Sequence, residues 1–357
     1  MLILYINYID MDAVTSGSKV RPVKMYQAFL DEGHEVKLLT GAQSIAARKK
    51  RRAAVAEVRR WLDTNRPDIC YIESPPYPIL LRCDVALIRK IHRMGIPVGY
   101  FYRDFYRKFP ELYPRRKDFV GGLKELWLDV LQRRTDNALK CVNVVYFPSA
   151  ECAEYFAYRD MRPLPPAGEN ALTERHPEEK TAIYVGGLEE GYGVGMLLDA
   201  FACLNHEVNS YTLLLVCRKA EWDTFESPWK SAPWLEVHHA SGAGLEPLYD
   251  RAAVSVIPVR PTAYTHFAVN VKLFDYLGHG LPVVVTEARA ISAIVRENGI
   301  GLVTPYETEA MANALQSVMN NPEERKELEK RCAEALKNGN LWVHRVRRIV
   351  SDLEEKR

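Results

Sequence analysis

Asn270-Val271-Lys272-Leu273-Phe274-Asp275-Tyr276-Leu277-Gly278-His279-Gly280-Leu281-Pro282-Val283-Val284-Val285-Thr286-Glu287 reads as a short helix, a Gly-Leu-Pro turn and a buried strand. Leu273, Phe274 and Leu277 fall on one helical face. Gly280 is suited to end that helix in the left-handed conformation, and Pro282 prevents its continuation. Val283, Val284 and Val285 form a β-branched run that fits a strand covered on both faces of a parallel sheet. Lys272 and Asp275 are three apart and so are neighbours near the amino end of the helix. Free N–H groups and the positive end of the helix dipole lie there, so a lysine beside them makes a phosphate site. A carboxylate one turn along can accept hydrogen bonds from ribose hydroxyls.

The pattern Lys272-Leu273-Phe274-Asp275-Tyr276-Leu277, followed by Gly280-Leu281-Pro282-Val283-Val284, resembles the donor-site helix of GT-B glycosyltransferases. The likeness is greatest to the large retaining family four, the group 1 glycosyl transferases. It implies an α/β chain of two Rossmann-like domains facing across a cleft. It also implies an acid at Asp275 that holds the ribose of a sugar nucleotide. A plain helix–turn–strand of another α/β protein is the alternative, and the matched polar positions weigh against it.

A chain of 357 residues suits two domains, and 47% hydrophobic with 26% charged residues is an ordinary globular balance. The opening Met-Leu-Ile-Leu-Tyr-Ile has no basic segment before it and reads as a first strand, not a signal peptide. No apolar run approaches the roughly 20 residues of a membrane span. The seven cysteines are scattered, odd in number and without a C-x-x-C pair, which argues against a disulfide framework or a zinc site and fits a reducing cytoplasm. Charge is unevenly spread. Residues 1–175 carry 29 Lys and Arg against 21 Asp and Glu, a net of +8, and the remainder carries 19 against 25, a net of −6.

In order, residues 2–7 read as a strand, 9–21 as a polar loop, 23–32 as a helix stopped by Gly33, and 36–40 as the next strand. This opening also resembles the first unit of a GT-B amino-terminal domain, in which the loop faces the acceptor or the transferred sugar. Gly17 and Arg21 are placed there by that likeness. A surface loop capping the helix is the alternative. Residues 44–65 read as a helix carrying Arg48-Lys49-Lys50-Arg51-Arg52, either a solvated face or a basic amphipathic face for anionic lipid. Residues 68–73 form a strand, followed by a rigid loop through Tyr77, assigned to the acceptor side. A helix over 79–94 and a strand over 98–102 lead to Arg103 and Asp104. Ligands of open α/β sheets gather at the carboxyl ends of strands. Asp104 lies there, and because the matching loop of GT-B enzymes often supplies a His or Asp at the acceptor hydroxyl, the resemblance makes Asp104 the candidate acceptor-side catalytic group, with an Arg103–Asp104 ion pair as the alternative. Residues 110–134 are rich in cations and aromatics. No nucleic-acid module accompanies them, so an anionic, lipid-linked acceptor is preferred to nucleic acid.

Residues 162–180 lack periodicity and read as the linker between domains 1–165 and 166–340, with a last helix over 341–354 expected to cross back to the first domain. After the linker the β–α rhythm restarts, with a glycine-rich turn at Gly186-Gly187. Here the chain departs from the family. The positions of Gly187 and Tyr192 are commonly Arg and Lys in that family, where they clamp the donor pyrophosphate, and Phe267 stands where a first acid is usual. The diphosphate must then be neutralised by backbone N–H groups at Gly186 and Gly187 and by other cations. Lys272 leads these, followed by Arg218 and Arg260, and Asn270 completes the donor set. The expected activity is transfer of a sugar from a nucleotide-diphosphate donor to a glycan or lipid-linked acceptor, without cofactor or metal, in the cytoplasm or peripherally on the inner membrane face, and the resemblance implies retention at the anomeric carbon. A nucleotide-sugar 2-epimerase and a non-catalytic partner subunit are the alternatives.

Overall fold

The computed structural model describes residues 1–11, 17–75, 77–103, 105, 108–109, 118–207 and 210–357. They form two compact units: residues 1–165 with 342–357, and residues 166–341. Each is built on a six-stranded sheet in which all pairings are parallel.

In the first unit the elements run β1 (Leu2–Ile6), α1 (Gly17–Asp31), β2 (Glu35–Leu39), α2 (Arg48–Trp61), β3 (Ile69–Glu73), α3 (Arg82–Arg93), β4 (Val98–Phe101), α4 (Phe119–Leu139), β5 (Val144–Phe147) and β6 (Met161–Pro163). The strand order is β2-β1-β3-β4-β5-β6. β3, β4 and β5 are buried along their whole length, as apolar strands covered on both faces must be.

Two basic side chains that the sequence places at the surface lie in this core. Helix α1 starts at Gly17, with Pro22 inside it, so Arg21 is a helical residue and not part of a cleft-facing loop. Arg21 pairs with Glu73 at 3.0 Å, donates to the carbonyls of Leu164 and Pro165, and stacks 3.6 Å from the centre of the Phe101 ring. An arginine so committed serves the fold, and it is not available to an acceptor. Arg51 is likewise turned inward from the basic run of α2, fully buried, with Asp84 at 2.7 Å. It also donates to the carbonyl oxygens of Asn7 and Gly41 and lies over the Tyr8 ring. Arg48, Lys49, Lys50 and Arg52 are exposed.

The second unit runs β7 (Thr181–Val185), α5 (Val194–Leu204), β8 (Thr212–Val216), α6 (Lys219–Thr224), β9 (Leu235–His238), α7 (Glu246–Arg251), β10 (Val254–Ile257), α8 (Val271–Gly278), β11 (Val283–Thr286), α9 (Arg289–Asn298), β12 (Gly301–Thr304), α10 (Thr308–Met319) and α11 (Pro322–Lys337). The order β12-β11-β10-β7-β8-β9 reverses direction between β7 and β10. That reversal is the point at which doubly wound sheets open a crevice for ligands. Leu273, Phe274 and Leu277 of α8 are buried against this sheet, each worth roughly 1.5–3 kcal/mol.

The proline-rich segment after residue 165 is not a loose linker. Arg175 donates to the carbonyls of Ala252 and Gly280 and faces Glu329, while Glu178 pairs with Arg251, so the segment is laced onto the second unit. The final helix α12 (Trp342–Glu354) packs on α1, β3 and β4 of the first unit. There Asp352 accepts hydrogen bonds from Tyr146 and Arg162. The seven cysteines are all unpaired thiols.

Candidate active site

The carboxyl end of β7 runs into Gly186-Gly187-Leu188 and a single 3₁₀ turn, Glu190–Tyr192, before α5 begins. Gly193 joins the two with φ at +71°, and a Cβ there would stand 1.7 Å from the Pro258 carbonyl oxygen at the end of β10. Only glycine lets the turn lie this close to the neighbouring strand, at the point where the sheet order reverses.

Lys272 occupies the first turn of α8 and reaches this turn. A Cβ on Gly186 would lie 2.4 Å from Lys272 Nζ and 2.7 Å from the Tyr184 hydroxyl. The amine stands 4.3 Å from the centre of the Tyr184 ring and 5.3 Å from that of Tyr192. Although the Lys272 stem is partly exposed, its nitrogen is buried and has no hydrogen-bond partner among the described residues. Burial pulls its pKa down to about 7, against the opposing pull of the Asp275 carboxylate. A buried amine without an acceptor costs free energy, and an anion delivered to it would recover that cost.

The other groups assigned from sequence fall unevenly around it. Asn270 stands at the amino end of α8, and its side chain caps no helix N–H. Asp275 is exposed on the same helix. Arg218, at the end of β8, is exposed and pairs with Glu221 at 2.5 Å. Arg260 is held by Glu190 across the turn, which braces the loop and occupies that guanidinium. Gly186 does not offer its N–H, which is bonded to the Val216 carbonyl at 2.9 Å, and Leu188 N–H is taken by Glu221. The Gly187 N–H has no partner among the described residues and remains the backbone donor at this turn. Phe267 is buried against the Tyr264 ring and is a packing residue. In the first unit, Gly17 opens α1, Tyr77 is exposed, and Asp104 lies outside the described residues.

The sequence reading missed Tyr184, Glu221 and Tyr276. Tyr184 donates to the Gly187 carbonyl at 2.6 Å, and the Tyr276 hydroxyl receives the Val185 N–H at 2.9 Å, tying α8 to the end of β7. Tyr184 sits within a strand and Tyr276 within a helix, where each reads as core, and no spacing links them across 92 positions of chain.

Residues 179–321, which hold all of this geometry, match the glycosyl transferases group 1 family. The match lies wholly within the second unit. Over the whole chain the fold is that of GT-B glycosyltransferases. WaaG, a glycosyltransferase involved in lipopolysaccharide biosynthesis, superposes with a TM-score of 0.62 at 14% identity, covering 98% of each chain. HepE from Anabaena, solved with UDP, gives 0.67 at 14% identity, covering 99% of this chain and 100% of that one. The UDP-forming trehalose-phosphate synthase of Burkholderia vietnamiensis gives 0.61 at 13%, covering 99% of both. No curated protein matches the chain by sequence.

Gly186→Ala tests the approach of Lys272. The added methyl would displace the amine or the Tyr184 hydroxyl, because the spaces of 2.4 and 2.7 Å are too small for it. We expect nucleoside diphosphate affinity to fall by about tenfold, the loss of one charge-assisted contact, with the fold retained. Titration calorimetry checks this, and unchanged affinity would remove Gly186 from the site.

Proposed function

We propose that the protein transfers a sugar from a nucleotide-diphosphate donor to a glycan or lipid-linked acceptor, with retention at the anomeric carbon and without a metal or cofactor. The observation that carries this reading is the buried, unpartnered Lys272 amine against the glycine turn where the sheet order reverses. A diphosphate brought there meets a cation, the Gly187 N–H and the first-turn N–H groups of α8. As the bond to the sugar breaks, negative charge grows on the leaving diphosphate, and fixed donors of this kind stabilise it. Arg218 supplies a second cation by leaving Glu221, and Asp275 and Asn270 face the nucleoside. Asp104 is assigned to the acceptor hydroxyl.

The basic balance of the first unit adds a lipid-surface acceptor to this reading, with the protein held peripherally on the inner membrane face. No helix among the described residues is long and apolar enough to cross a membrane. A second reading follows from Tyr192, whose ring stands beside Lys272 where the family carries a cation. A site so depleted also suits a non-catalytic partner subunit.

A panel of UDP-, GDP- and ADP-sugars tested by thermal shift, followed by product analysis of those that bind, separates the readings. A donor that binds only the folded state raises its melting temperature. Transfer or slow hydrolysis supports the proposal, and C2 epimerisation would replace it with an epimerase. A protein that no nucleotide sugar stabilises overturns it.

A further inference from the structure

We infer that one face of helix α4 is the surface by which the protein lies on an anionic lipid bilayer. The inference deepens the lipid-surface part of the proposed function, and it moves the contact away from the basic run of α2.

Helix α4 is 21 residues long and is packed along one side only. Leu128, Leu131, Ala138 and Leu139 are buried, and Thr135 accepts a hydrogen bond from Ile79 N–H. On the adjoining side Val120 is 74% exposed, Leu126 63%, Leu123 and Val130 55% each, and Trp127 51%. At 3.6 residues per turn these side chains fall within an arc of about 120°, wide enough for a continuous apolar stripe. Hydrophobic residues exposed singly need no explanation, but several on one helix face mark a contact surface.

The charges around the stripe decide what it meets. Lys124 lies just beyond one edge of the arc and Arg133 just beyond the other, and both are exposed. None of the three acids of the helix lies within the arc: Glu125 is buried, Asp129 is half-buried and falls beyond Arg133, and Asp136 is half-buried, accepting hydrogen bonds from Gln132 and Tyr158. Asp118 caps the helix by accepting from Gly121 N–H. Two copies laid face to face would bring cations against cations along both margins. A bilayer with anionic headgroups meets the stripe with acyl chains and the margins with phosphates, and a tryptophan within the stripe suits the interface between the two.

The experiment is co-sedimentation with phosphatidylcholine vesicles, with and without phosphatidylglycerol, at low and high salt. Wild type is expected to sediment with the anionic vesicles. Leu126→Ser with Trp127→Ser should lower the partition by about tenfold or more at every salt concentration, because apolar burial is lost. Lys124→Gln with Arg133→Gln should lower it roughly tenfold at low salt and far less at high salt, where charges are screened. Thermal melts of both variants should match wild type, since the replaced side chains are exposed. Vesicle binding needs no nucleotide sugar, so it succeeds or fails independently of the donor panel. Wild type that stays in solution with both vesicle types overturns the inference, as does an apolar variant that still sediments. Self-association of wild type in sedimentation velocity, lost in the apolar variant, would assign the face to a second copy of the chain instead.

Discussion

Replacing Lys272 by methionine is expected to stop turnover and, in the same variant, to raise the melting temperature of the unliganded protein. The two effects share one cause. The lysine amine is buried without a partner, and burial holds its pKa down to about 7. An ordinary lysine titrates near 10.4, so the folded state binds fewer protons than the unfolded state between about pH 7 and pH 10. The penalty is therefore present in full below the folded value and is relieved as pH rises through that window. Methionine keeps the stem's packing and removes the penalty, a gain of order a few kcal/mol at neutral pH, with about 2–4 °C for each kcal/mol in a unit of this size. Wild type and variant should converge near pH 10. Nucleoside diphosphate affinity should fall by about 1.5–3 kcal/mol, the worth of a charge-assisted contact. In wild type that affinity should weaken as pH rises above 7 and the free amine loses its proton. Thermal melts across pH and calorimetry with UDP and GDP test both halves. A variant that is destabilised yet binds as wild type would show Lys272 to be a packing residue.

The other large effect lies in the first unit. Arg51→Ala should cost about 3–5 kcal/mol, because it leaves the Asp84 carboxylate buried without its cation. Burial already pushes the Asp84 pKa up against the pull of Arg51, so the lone acid would take up a proton and the carbonyls of Asn7 and Gly41 would lose their donor. Neutralising Arg48, Lys49, Lys50 and Arg52 together should change stability by no more than about 0.5 kcal/mol per site, as exposed substitutions do. Urea unfolding of the two variants makes the comparison. Equal stabilities would mean that Arg51 is as solvated as its neighbours.

Arg51 also shows where sequence reading stops. In the basic run that opens α2 it is one cation among five, and nothing local distinguishes it. Its inward course is set by Asp84, 33 positions later. Arg21 was hidden for a related reason: Pro22 has no N–H to give a helix, so the chain before it reads as loop, whereas α1 already begins at Gly17. What was legible is what depends on neighbours in sequence. Val283, Val284 and Val285 form a fully buried strand, and Gly280 after α8 has φ at +66°. Helix α9 and strand β12 went unread. The Lys272–Asp275 pair was legible because helix spacing brings the two together. Tyr184 and Tyr192, whose rings flank Lys272, come from β7 and the turn after it, and Glu221, which takes the Leu188 N–H, comes from α6. Only the folded sheet joins them.

The return of α12 to the first unit makes the second unit, residues 166–341, an insertion within the first. A ribosome therefore finishes the bodies in the reverse of the order in which it begins them. Residues 166–341 are all available to fold while the first unit still lacks the helix that places Leu353 against Gly99 and brings Asp352 to Tyr146 and Arg162. A stop codon just after residue 341 would leave the second unit whole and the earlier-made body uncovered.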